Sequence, residues 1–432
     1  MKYYERLLLE EIKNYMERRE IIAIKGPRQS GKTTLLKMLK DFLLKKGIEE
    51  KNIIYLSFED IETLEKFSLS PKEFIKSFIE KENERYYFLI DEAQYCKELG
   101  KKLKLLYDSF ENAKFIITGS SSLELTSETA QFLVGRLFSF ELLPFNFFEF
   151  LNAKDKRIAR IFAEKNEKIK QLILNEKDFE IPEEDIFVNE ILRYFEEYVV
   201  FGGYPEVIKA RKEEEKKIIL KNIFNTYLEK DILSYLQITD VVKFKKLVSI
   251  LSYLSGDLIS FEKLTTETQS YFKEINFLLD VLQQTYVIKL LRPFHKNLIT
   301  ELKKNPKVYF FDFGLRNYAI NNFNNLEIRS DSGKLVENFV LNEISSIVEE
   351  KMFLNYWRTI AKAEVDFVLS NGNKILPIEV KFESFKKEKI GKSLYSFIKN
   401  YSPKFAIVAT KDFWGEKQVE NTKVKFIPSC YL

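Results

Sequence analysis

Residues 26–34 read GPRQSGKTT, which sets Gly26, Gly31, Lys32 and Thr33 at the spacing G-x-x-x-x-G-K-[ST]. That spacing suits a nucleoside triphosphate. The two glycines let the backbone N–H groups that follow Pro27, those of Arg28, Gln29, Ser30 and their neighbours, turn toward phosphate oxygens, and the helix that follows through Thr34 adds its positive end. Lys32 is expected to reach the β- and γ-phosphates, and the Thr33 hydroxyl to ligate Mg²⁺. ATP and Mg²⁺ are therefore the expected cofactors. The alternative is a plain glycine turn, but an apolar run before the loop and an amphipathic pattern after it weigh against that.

A phosphate loop calls for an acid at the end of a second strand. The run RYYFLIDEAQ supplies Asp91, expected to hold the magnesium through water, and Glu92, placed to orient the attacking water. A third apolar run, AKFIITGSSS, ends in polar residues. Ser120 there is a candidate sensor of the γ-phosphate, with a Gly/Ser turn as the equal alternative. Arg136 follows Gly135 in an apolar neighbourhood and reads either as an arginine finger or as a structural ion-pair partner.

A second set of chemical residues lies near the end of the chain. Asp366 in EVDFVL and Glu379 and Lys381 in PIEVK fall on two β-patterned runs around a turn at Asn371–Gly372. This is the D…E-x-K arrangement of metal-dependent nucleases. The acids would hold Mg²⁺ beside a scissile phosphate, and Lys381 would steady the developing charge or place the water. Glu337, on a helical pattern, could complete the metal set. Surface ion pairing on a sheet is the alternative reading.

The elements that must position these residues give an α/β chain in four segments. Residues 1–150 form the phosphate-loop core, and 151–238 a helical lid and spacer. Residues 239–305 form a winged helix-turn-helix, and 306–432 a C-terminal α/β domain. In the third segment, SYFKEINFLLDVLQQ would be the recognition helix. The wing would span 286–310, with Arg292, Lys296, Lys303 and Lys304 against Glu301. The helix itself carries only Lys273 against Glu274 and Asp280, so a packing module between domains has equal standing.

Composition narrows the chemistry. The 432 residues hold 69 Lys+Arg and 65 Asp+Glu, so affinity for nucleic acid must come from local patches rather than the net +4. One such patch is 381–404, with seven Lys against two Glu. A single histidine, His295, and two cysteines, Cys96 and Cys430, exclude a Cys/His zinc site within one chain. They also argue against a disulfide framework. Absence of a signal pattern or a long apolar run gives a cytoplasmic protein as the default and no membrane partner.

The stretches GPRQSGKTT, IDEAQ, TGSSS, VGR, LPFNFFEF and FGGYP resemble those of AAA-type ATPases. In particular they are similar to a prokaryotic group with a restriction-endonuclease-like C-terminal domain, to which NPKVYFFDFGLRNY, GKLVENFV, YWR and EVDFVL…PIEVK also correspond. The resemblance implies that Arg136 matters to hydrolysis. It also implies that Gly203 and Pro205 form the G-x-P element that related signalling ATPases keep near the nucleotide. The expected function is ATP hydrolysis coupled to DNA binding and processing by a metal-dependent nuclease-type site, with DNA as partner and a homo-oligomer allowed. A regulatory ATPase whose C-terminal and winged-helix parts only bind DNA or a partner is the alternative. A transcription regulator built on the winged helix is the third reading.

Overall fold

Five short runs rich in Ile, Leu and Phe become a parallel sheet in the computed structural model, which describes residues 3–119, 132–226, 240–294, 305–348, 351–372 and 374–432. Its strands are β1 (Ile21–Lys25), β2 (Ile53–Ser57), β3 (Tyr86–Asp91), β4 (Ala113–Gly119) and β5 (Leu137–Glu141). They lie in the order β2-β3-β4-β1-β5, every pair parallel. Parallel neighbours need crossovers that cover both faces, and β1, β3 and β4 are accordingly buried along their whole length. One face packs Ala23, Phe88, Ile90 and Ile117 against Phe67, Ile75 and Leu103. The other packs Ile22, Ile24, Leu89 and Ile116 against Ile12, Leu36 and Leu39. The parallel order brings the C-terminal ends of β1, β3 and β4 to a single edge, where α/β sheets bind ligands.

The chain divides into two compact units. The first comprises Met1–Phe145, Tyr204–Lys209 and Gln284–Tyr286. The second comprises Asn146–Gly203, Ala210–Gln283 and Val287–Leu432. Most of the expected segments 151–238, 239–305 and 306–432 thus share one unit. Ser120, His295 and the expected wing residues Lys296, Lys303 and Lys304 lie outside the described residues.

Within the second unit, helices Val241–Tyr253, Phe261–Thr268 and Phe272–Gln284 precede an antiparallel pair, β6 (Ile288–Leu291) and β7 (Lys307–Phe310). Ser260 caps the second of these helices by accepting from the Lys263 N–H, as its residue type suggests. Helix Ser332–Ile347 then leads into a six-stranded mixed sheet. Its strands are β8 (Phe353–Arg358), β9 (Glu364–Asn371), β10 (Lys374–Val380), β11 (Phe405–Thr410), β12 (Gly415–Val419) and β13 (Thr422–Pro428). β8, β9 and β10 form an antiparallel meander, and helix Lys392–Tyr401 carries the chain to β11, which lies parallel to β10. No described helix is long and apolar enough to cross a membrane.

Candidate functional site

The phosphate loop leaves the C-terminal end of β1 and enters helix Lys32–Lys45. Gly26 has φ +151°, and a Cβ there would collide with the Leu142 carbonyl oxygen, so only glycine fits this first turn. Gly31 is the N-cap, left-handed at φ +101°. Lys32 is buried, and its ammonium donates to the carbonyls of Gly26 (3.0 Å) and Pro27 (2.8 Å) across the loop. The Ser30 hydroxyl is buried without a hydrogen-bond partner, as expected of a group that awaits a ligand. Arg28 donates to the Tyr95 hydroxyl at 3.1 Å, and Gln29 takes a left-handed conformation.

At the ends of β3 and β4 the acids are held by hydroxyls. Asp91 is buried; Tyr55 on β2 donates to its Oδ2 at 2.8 Å and Thr118 on β4 to its Oδ1. Burial and the adjacent Asp91 carboxylate push the Tyr55 phenol well above its usual range, so it stays a donor. The Glu92 N–H donates to Thr118 Oγ1 at 3.0 Å, fixing the left-handed turn that carries the glutamate out of the sheet. Gln94 donates its amide to Glu92 Oε2.

These residues open onto a cleft of about 570 Å³, within the range of small-molecule sites. Gln29, Gly31, Lys32, Thr33, Thr34 and Glu92 line it beside Tyr3, Tyr4, Phe145 and Pro205. Pro205 belongs to the same compact unit as the loop, and its Cγ would be 3.9 Å from a Cβ at Gly31. Arg136 sits elsewhere. Its carbonyl accepts the Ile21 N–H at the N-terminal end of β1, whereas the loop follows Lys25 at the other end. Its guanidinium pairs with Asp108 at 3.3 Å. The ion-pair alternative describes this placement.

One residue of the site carries no motif. Arg6 donates to the Ser30 carbonyl (2.8 Å) and the Leu143 carbonyl (2.7 Å). Nothing in MKYYERLLLE marks it beyond its place before a helix. Thr118, the first residue of the polar end TGSSS, supplies the hydroxyl that joins Asp91 to Glu92.

The C-terminal acids come together around a lysine. The β9–β10 register pairs Val368 with Pro377 and Phe367 with Ile378, which sets Asp366 across from Glu379. Asp366 Oδ2 accepts the Val380 N–H at 2.7 Å. Lys381 pairs with Glu379 Oε1 at 3.2 Å, while Glu379 Oε2 is buried without a partner. Lys307, on β7, places its ammonium 3.0 Å from Glu337, 2.6 Å from Glu364 and 3.9 Å from Asp366. Tyr309 donates to Glu337 Oε1 at 2.5 Å, and Arg358 donates to Glu364 at 2.6 Å. Burial and the neighbouring Asp366 carboxylate raise Glu337 well above the usual carboxylate range. Burial also raises Asp366 above the usual carboxylate range. The expected metal set Glu337, Asp366 and Glu379 does not converge on a common point. Among the described residues no three acids form a group able to hold a metal ion. Lys307 was legible as the charged residue in the apolar strand KVYFF, a signal that strand alternation alone assigns to the base of the wing.

The parallel sheet, glycine loop and acid pair define a P-loop α/β nucleotide-binding domain. Residues 18–151 match the AAA domain family. Residues 192–326 and 332–429 match two domains of unknown function, DUF8612 and DUF4143. The chain is 26% identical over 98% of its length to an uncharacterized protein of Haemophilus influenzae, covering 97% of that protein. It is 28% identical to an uncharacterized protein of Methanocaldococcus jannaschii, covering 84% of this chain and 75% of that one. Among solved structures, domain III of the Thermotoga maritima replication initiation protein DnaA is similar at 19% identity and a TM-score of 0.28, over 50% of this chain and 89% of that one. That likeness is too distant to carry any residue or partner over.

Proposed function

We propose that this chain hydrolyses ATP at the Gly26–Thr34 loop and couples the cycle to DNA. The observation that carries the reading is the cleft that gathers the loop, the helix N-terminus and Glu92, with buried Asp91 at the adjoining strand end. Backbone N–H groups from Pro27's neighbours to Thr34 would receive the phosphates, and the Ser30 hydroxyl would find its partner there. The Lys32 ammonium would exchange the Gly26 and Pro27 carbonyls for phosphate oxygens. Glu92, once Gln94 lets go of Oε2, would accept from the attacking water. The residues fit a magnesium ion: the Thr33 hydroxyl and the rigidly held Asp91 carboxylate would hold it. When bound, the ion would neutralise charge on the phosphate oxygens. Arg136 would serve as a finger only toward the nucleotide of another copy, in a homo-oligomer.

The DNA side of the reading rests on the lysines at 381, 386, 387, 389, 392, 399 and 404, all exposed. The helix–helix–helix–hairpin order of 241–310 supports a winged helix. The antiparallel meander followed by a parallel strand supports a restriction-endonuclease-like C-terminal domain. The placement of Lys307 among the acids favours a C-terminal domain that binds DNA over one that cuts it.

The test is a turnover and binding assay on the full chain. Lys32→Ala is expected to abolish ATP binding. Glu92→Gln should keep binding and lose turnover by about 10²-fold or more, since only proton acceptance is removed. Full turnover by Glu92→Gln would overturn the role given to it.

A further inference from the structure

The backbone and the side chain of Asp91 are held by different partners. The backbone is fixed by the β3 ladder and by the Phe58 N–H, which donates to the Asp91 carbonyl at 3.0 Å. The carboxylate of this residue, 3% exposed overall, is fixed by two hydroxyls, Tyr55 on Oδ2 at 2.8 Å and Thr118 on Oδ1. β2 and β4 flank β3, so the two donors come from opposite neighbours. The χ2 torsion of an aspartate is broad, and a hydroxyl on one oxygen alone leaves the carboxylate plane free to turn. A second hydroxyl on the other oxygen fixes the plane. An ionised carboxylate has about four lone-pair sites, so each oxygen keeps room for a further donor or a cation.

Tyr55 stands across from Leu89 in the register, two residues short of Asp91. Side chains alternate along each strand, so Tyr55, Leu89 and Asp91 share one side of the sheet. Leu89 and Ile53 pack there against Leu36 of helix Lys32–Lys45, the helix that carries Thr33. The strand neighbours Ile54 and Leu56 are buried, whereas Tyr55 is 38% exposed. Packing at so open a position does not demand an aromatic ring. What this residue supplies is a hydroxyl on a stem long enough to reach a buried acid on the next strand.

We propose that Tyr55 is a positioning residue of the nucleotide site: acting through Asp91, it sets the affinity for the divalent ion that accompanies ATP. This role rests on the ATP reading of the Gly26–Thr34 loop. Removing an outer-shell partner of a metal-binding side chain typically costs about 10–100-fold in metal affinity or activity. The phosphate loop, Lys32 and Thr33 do not touch the Tyr55 hydroxyl, so the phosphates are still received without it, and only the aim of the Asp91 carboxylate is lost.

The experiment compares the full chain with Tyr55→Phe, which keeps the ring and removes the hydroxyl. A fluorescent ATP analogue is titrated first with chelator and then with Mg²⁺. Mn²⁺ bound in the presence of a non-hydrolysable ATP analogue is followed by electron paramagnetic resonance. Metal-free affinity for the analogue is expected to match the wild type. Mn²⁺ affinity should fall by about tenfold or more. The Mg²⁺ concentration for half-maximal turnover should rise by the same factor, with turnover at saturating Mg²⁺ retained. Tyr55→Leu, which removes the ring as well, is expected to show the same split between metal-free and metal-bound affinity. Equal losses with and without metal would mark a structural role and overturn the proposal. So would unchanged Mn²⁺ affinity in folded Tyr55→Phe, and the ATP reading would then still stand. A wild-type chain that binds no ATP analogue would overturn that reading and this role with it. If neither variant folds, the hydroxyl serves the fold and the proposal falls.

Discussion

The guanidinium of Arg6 links the phosphate loop to the segment after β5, donating to the Ser30 and Leu143 carbonyls with its central carbon 4.5 Å from the centre of the Phe145 ring. Hydrogen bonds from a charged donor are worth about 1.5–3 kcal/mol each, and truncation would leave both carbonyls short of a partner. Arg6→Ala is therefore expected to weaken ATP binding by about tenfold or more, the equivalent of about 1.4 kcal/mol. Arg6→Lys should recover part of that, because one ammonium cannot reproduce the two-armed fork. Titration with a fluorescent ATP analogue checks it; unchanged affinity in Arg6→Ala would show that the loop keeps its shape unaided. Residues like this are invisible to a motif because they act through the backbone of other residues. The loop itself was legible because phosphate binding demands glycine and lysine at set positions, whereas an arginine that props it up can come from anywhere the fold permits.

Helix Ser332–Ile347 carries a different kind of buried acid. Glu343 accepts the Phe147 N–H at 3.1 Å at the start of helix Phe147–Lys154, and burial raises its carboxyl to about 7 from an ordinary 4.5. Between those values the unfolded chain gives up this proton while the folded chain keeps it. Stability therefore falls as pH rises through the window and levels off above about 7. The cost is about 3 kcal/mol at the plateau. Glu343→Gln keeps an acceptor for Phe147 and removes the charge. It is expected to be more stable than the wild type by about 2–3 kcal/mol near pH 8, with most of that gain gone near pH 5. Denaturant unfolding at the two pH values measures this, and a gain that did not shrink toward pH 5 would count against it. At this scale the sequence was most informative where patterning is strict. The β-runs before GPRQSGKTT and through IDEAQ, and the turn at Asn371–Gly372, all lie where the strands form. Lys307 reads as part of a wing because period-two alternation assigns a strand its faces but not its neighbours. Only the tertiary placement of β7 brings that lysine against Glu337 and Glu364.

Over the whole molecule, charge is nearly balanced, so the proposed attraction to DNA must be carried by position. Lys386, Lys387 and Lys389 are exposed on the stretch that follows β10. Replacing all three by Ala is expected to reduce the slope of log affinity against log salt by about 1 for each phosphate no longer neutralised, for any duplex sequence. An unchanged slope in a folded variant would take this stretch out of the interface. The nucleotide unit, finally, is not a continuous stretch of chain: it takes Tyr204–Lys209 and Gln284–Tyr286 from far downstream. Gly203 just before the first insert donates to buried Asp312 at 2.8 Å, and a Cβ on Gly202 would meet that carboxylate at 2.5 Å. In hereditary terms this interleaving is a constraint. A recombination that exchanged only the first 145 codons would import a phosphate loop cut off from its own Pro205 wall. Such a gene offers no clean seam for domain shuffling, and its halves are bound to diverge as one lineage.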